Sequence, residues 1–156
     1  MDHHIVIGAS HQAHLVATFT KNVEQLGRKA EDLQEQKLNR SGQRLLERTL
    51  KDRRILANAA VQVGDANVIK IDWDVIRTLR RALSIDVDKL EDWLDYNADD
   101  ARVSVERFED EEQRLEVLED VLEVLVRFNR EMREGRIGVT SVTMPTLATV
   151  GEQAVA

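Results

Sequence analysis

Residues Ala101–Glu134, ARVSVERFEDEEQRLEVLEDVLEVLVRFNREMRE, contain neither proline nor glycine, and their apolar side chains recur on one narrow stripe. Phe108, Leu115, Leu118, Leu122, Leu125 and Met132 step by threes, fours and sevens, the spacing that keeps side chains on one seam of an α-helix. Glu and Arg fill most positions facing away, and Gly135 stands where a helix commonly stops. The stretch is predicted to be one long amphipathic helix over 101–134 that buries its seam against other helices.

Working outward, a second seam of the same kind runs through His11–Leu38, on Val16, Phe19, Val23, Leu26, Ala30 and Leu33. Gly27 weakens this helix by about 1 kcal/mol relative to alanine without breaking it. Asn39-Arg40-Ser41-Gly42 reads as a turn, with Ser41 as the cap of a helix from about Gln43 to Val61. The short connection makes the two helices antiparallel neighbours. Around Gly64-Asp65-Ala66-Asn67 the pattern is ambiguous, and the alternation of Val61, Val63, Ile69 and Ile71 also suits a small hairpin. Asp72 is a good N-cap for a shorter helix carrying Val75, Ile76, Leu79 and Leu83, and Ser84 or Asp86 is read as the break before another with Val87, Leu90, Trp93 and Leu94. Trp73, Trp93 and Tyr96 are expected as core or interface anchors.

The two ends have another character. Ile5-Val6-Ile7 is a short apolar run that suits an edge strand, and beyond Gly135 the chain turns to Thr, Val and Ala with few charges. Ile137, Val139 and Val142 then suit an extended or disordered arm over 137–156, which needs a sheet edge or a neighbouring molecule to bury it. The expected fold is all-α: an elongated helical bundle over 1–136, with two long coiled-coil-like helices, two or three shorter helices, and extended N- and C-terminal arms.

Composition agrees with this class. Charged residues make up 33% of the chain, aromatics 4%, and there is a single proline, which favours helices with a Leu and Val core. Without cysteine, neither disulfides nor thiolate metal sites are available. There is no run of about 18 apolar residues for a membrane span and no signal-peptide pattern at the N-terminus, so a soluble cytoplasmic or virion protein is expected.

Charge is unevenly spread. Arg28–Arg54 holds nine Lys/Arg against five Asp/Glu, a surplus of +4, whereas Asp86–Glu134 holds seven against eighteen, a surplus of −11. These complementary stretches attract either across the bundle or between molecules, where they steer head-to-tail assembly. Arg40, Arg44 and Arg48 lie on one face of the second helix and are the leading candidates for an anionic partner.

Motifs of chemistry are sparse. His3, His4, His11 and His14 are packed into the first fourteen residues, but only Asp2 accompanies them, and they are read as a polar end rather than a metal site. Glu106, Glu109, Glu112, Glu116, Glu119 and Glu123 lie mostly off the seam, and no Glu-x-x-His occurs, so a dimetal carboxylate centre is not expected. Ile5–Ser10 lacks the rest of a glycine-rich nucleotide fingerprint. Ile76–Tyr96 has the outline of a helix-turn-helix near Arg77, Arg80 and Arg81, yet its reading helix, Asp86–Tyr96, carries five acids and one lysine and would be repelled by phosphates. No nucleophile or acid-base pair emerges, and no enzyme activity, cofactor or metal is expected. The expected function is a non-catalytic, self-associating structural subunit of a cage, filament or virion, with Leu118, Leu122, Leu125, Ile137, Val139, Val142 and the three arginines as interface candidates. The competing classes are a helical adaptor or chaperone and, less favoured, a nucleic-acid-binding regulator.

Overall fold

A computed structural model describes residues 3–135 and the backbone of 141–143. Along the chain it places β1 (His3–Val6), α1 (Ala9–Gln34), α2 (Arg40–Ala66), β2 (Val68–Ile71), α3 (Trp73–Asn97), α4 (Val105–Arg133) and β3 (Ser141–Thr143). The protein is mostly helical, and the described strands form a small sheet ordered β2-β1-β3.

The helices form two antiparallel hairpins, α1 with α2 and α3 with α4. Leu15 and Phe19 of α1 and Leu56, Ala59 and Val63 of α2 meet the stripe Ile76, Leu79, Leu83, Val87 and Leu90 of α3, all buried in one core. From α4 the core takes Val117, Leu118, Val121, Val124, Leu125 and Phe128, while Leu115, Leu122 and Met132 are only partly covered. The buried stripe thus includes Leu118 and Leu125 as expected but is turned toward Val121 and Phe128. At the sheet the His3 ring stands edge-on to Phe128 at 5.8 Å.

Several boundaries differ from the sequence expectation. The cap of α2 is Asn39, whose Oδ1 accepts from Gly42 N at 2.8 Å, so the helix starts before Ser41. No hairpin forms over 61–71. Instead α2 runs through Val61, Val63 and Gly64 and ends at Asn67, which adopts the left-handed conformation (φ 56°) that asparagine tolerates. Val68–Ile71 then pairs antiparallel with β1, 62 to 68 residues upstream by the register His3↔Ile71 to Val6↔Val68. β1 is consequently the central strand, not an edge, with β3 parallel on its other side, Ile5 opposite Val142. The neighbour-supplied sheet edge expected for the tail is, for 141–143, this chain's own β1, whereas Ile137 and Val139 lie outside the described residues.

The break expected at Ser84 or Asp86 is absent, and α3 is one helix of 25 residues. Asp86 is held inside it by Asn22 of α1, whose Nδ2 donates to Asp86 Oδ2 at 2.8 Å. This removes the helix-turn-helix outline. Asp72 does cap α3, accepting from Val75 N at 2.9 Å. α4 begins at Val105 with Ser104 as its cap, accepting from Arg107 N, and the residues just before it form turns. Gly135 closes the helix at φ +65°, a conformation open to glycine. At Gly27 the missing side chain leaves room for Arg53 of α2, whose Nε would lie 3.3 Å from a Cβ.

Candidate assembly surfaces

In the helix hairpins, the ends of α1 and α4 and the starts of α2 and α3 are set by capping and by the seams, and these fix where each charged group stands. Because α1 and α2 are antiparallel, Arg40, Arg44 and Arg48 lie at the turn end of their hairpin, far from the sheet. All three are exposed. None makes an ion pair among the described residues, so the intramolecular pairing with acidic α4 that one reading of the charge allowed is not made.

The same tip is poorly covered. From Thr20 to Arg48 only Ala30 is buried, and Leu26, Leu33, Leu38, Leu45 and Leu46 remain half-buried. The two helices cover each other's seam in part, and nothing else among the described residues finishes the task.

The opposite charge gathers on the other hairpin. Glu109, Glu112, Glu116, Glu119 and Glu123 are exposed along α4, with Asp88, Glu91, Asp92 and Asp95 exposed on α3. Crowding is visible at Glu119, whose carboxyl is held above its ordinary value, first by partial desolvation and then by Glu91 of α3 and Asp120 and Glu116 beside it. Two acids at the helix junctions instead pair locally and are held below the ordinary carboxylate range: Asp74 by Lys51 Nζ at 3.0 Å, and Asp100 by Arg102.

A polar layer joins the hairpins. His11 is fully buried, with Nε2 3.1 Å from Asp120 Oδ2 and Nδ1 3.0 Å from Ser10 Oγ. A carboxylate only accepts, so Nε2 carries the proton toward Asp120. Arg114 Nε reaches Thr18 Oγ1 at 3.4 Å. The four histidines are therefore not gathered into one site: His11 is a tie between α1 and α4, and His3 packs on Phe128. Among the described residues no group of three or more His, Asp or Glu is placed to hold a metal.

Trp93 is half-buried under Arg107, whose Cζ lies 5.1 Å from the ring, and beside Phe108 at 6.1 Å. Trp73 and Tyr96, expected as anchors, are 47% and 83% exposed. Leu118 and Leu125 are fully buried in the chain's own core, and Leu122 is partly so. What the sequence did not reveal is that Arg77, Arg80 and Arg81 face the end of α4: with Arg133, Asn129 and Trp73 they line a cleft of about 320 Å³. The i, i+3, i+4 spacing on α3 was a signal, but its partner on α4 is 52 residues beyond Arg81. No helix among the described residues is long and apolar enough to cross a membrane. No family model, curated protein or solved structure matches the chain.

Proposed function

We propose that the protein is a non-catalytic, self-associating subunit of an ordered assembly of the cage, filament or virion type. In this reading the basic tip of the α1/α2 hairpin docks on the acidic face of α4 in the next copy. The observation that carries it is the tip itself: three exposed arginines without ion-pair partners among the described residues, beside leucines that their own hairpin leaves half-covered.

Two physical arguments support the reading. Exposed pairs contribute little to folding, about 0–1 kcal/mol, so a face of unpaired like charges is better explained by encounter and register than by stability. The basic and acidic patches lie on different hairpins, and a contact between unlike patches is head-to-tail, which closes into rings or runs on as filaments. The leucine seam of the tip would extend, coiled-coil fashion, into the joint. An adaptor that uses the same tip to grip another protein would instead remain a monomer or small oligomer.

Charge exchange tests the pairing. Reversing Arg40, Arg44 and Arg48 to Glu should abolish association while circular dichroism is retained, and so should reversing Glu109, Glu112 and Glu116 to Lys. Mixing the two variants should restore association between unlike copies. Two variants that stay apart when mixed, or that each associate normally, would remove this pairing from the account.

A further inference from the structure

The cleft between the start of α3 and the end of α4 has no role in the assembly reading. Arg77, Arg80 and Arg81 enter it from α3, and Arg133 and Asn129 from α4, with no carboxylate lining it among the described residues. In a chain of net charge −7 that is an unusual concentration of one sign. Ordinary structural roles account for part of it. Arg81 pairs with Asp52 Oδ2 at 3.2 Å, an acid also fixed by Thr78 Oγ1 at 3.0 Å, and Arg133 lies in the last turn of α4, where a cation suits the helix dipole. Arg77, Arg80 and Arg133 nevertheless have no ion pair among the described residues. Asp74, in the first turn of α3, is hydrogen-bonded to Lys51, and the charge of Arg77 also helps to hold its carboxyl below the ordinary value without a direct ion pair. Trp73, which also lines the cleft, leaves 47% of its surface to solvent.

We infer that this cleft binds a nucleoside di- or triphosphate, with the phosphates on Arg77, Arg80 and Arg133 and the base stacked on Trp73. Guanidinium groups suit phosphate because their donors match its oxygens in pairs. An exposed indole beside them gives any base a π-face. Asn129 adds both a donor and an acceptor. The extent of the patch selects a short ligand over a nucleic acid strand. Beyond Arg81, α3 continues into the exposed Asp88, Glu91 and Asp92, and before Arg127, α4 presents the exposed Glu123 and Glu119, so a longer polyanion laid along the hairpin would meet carboxylates.

Calorimetric titration of the full-length chain with ATP, with inorganic tripolyphosphate and with a short oligothymidylate tests the assignment. ATP should bind saturably at one site, and Arg77→Gln with Arg80→Gln should weaken it at least about tenfold, as expected when charge-assisted bonds are lost. Trp73→Ala should weaken ATP but leave tripolyphosphate unchanged, which separates the base from the phosphates and from any general loss of fold. ATP binding that is absent, or that survives the double arginine substitution, overturns the inference. Tighter binding of the oligonucleotide than of ATP overturns it in favour of a nucleic acid strand, and equal loss of both small ligands in Trp73→Ala removes the stacking role.

Discussion

Glu119 shows how a single residue reports the crowding of one surface. Its raised carboxyl value means that the folded state holds the proton more readily than the unfolded chain. The favourable contribution is therefore complete below the ordinary value of 4.5 and is lost as pH rises through the folded value. At neutral pH the ionised side chain costs stability, so Glu119→Gln should raise the urea midpoint at pH 7 and change it little below pH 4.5. An equal gain at both pH values would mean that charge crowding is not the cause. Leu118 offers the complementary case. It is fully buried, and replacing it with alanine should cost about 2–5 kcal/mol in denaturant unfolding, against less for the partly covered Leu122. A loss below about half a kcal/mol at Leu118 would contradict the packing described. Some residue roles were legible in advance, Asp72 among them, because an N-cap acts on groups three residues away. Asn39 and Ser41 are both good caps by residue type, and only the φ and ψ of the turn decide for Asn39.

At the scale of elements, local pattern identified the helical character of the chain but misplaced the breaks. Ser84-Ile85-Asp86 looked like a boundary since serine and aspartate compete with helical hydrogen bonds for the backbone. In the fold the Asp86 carboxylate is taken by Asn22, a partner 64 positions away that no local window contains. A proline at Ser84 distinguishes the two arrangements. In the middle of a continuous α3 it should cost about 3 kcal/mol or more, whereas at the junction of two helices it would be nearly neutral. Thermal unfolding of Ser84→Pro that matches the unmodified chain would contradict the single helix. Val68–Ile71 is ambiguous for a similar reason: alternation announces a strand but not its partner, and the whole α1/α2 hairpin separates β1 from it in sequence. The same blindness hid the arginine cleft, since its two walls, the start of α3 and the end of α4, meet at one end of the hairpin but stand far apart in sequence.

Over the whole molecule the charge map is the feature the sequence displayed most clearly and the fold alters most. The +4 and −11 stretches were compatible with attraction inside one bundle. The fold leaves Arg40, Arg44 and Arg48 exposed and unpaired among the described residues, and Glu109, Glu112, Glu116, Glu119 and Glu123 of α4 turned outward. Contacts between such patches are screened by salt, with a Debye length near 10 Å at 0.1 M ionic strength. The most direct test is the mass distribution of the purified full-length protein by light scattering across a range of ionic strength. The assembly account predicts species well above a dimer at low salt that dissociate as salt is raised, and a protein that remains a monomer or dimer throughout would contradict it.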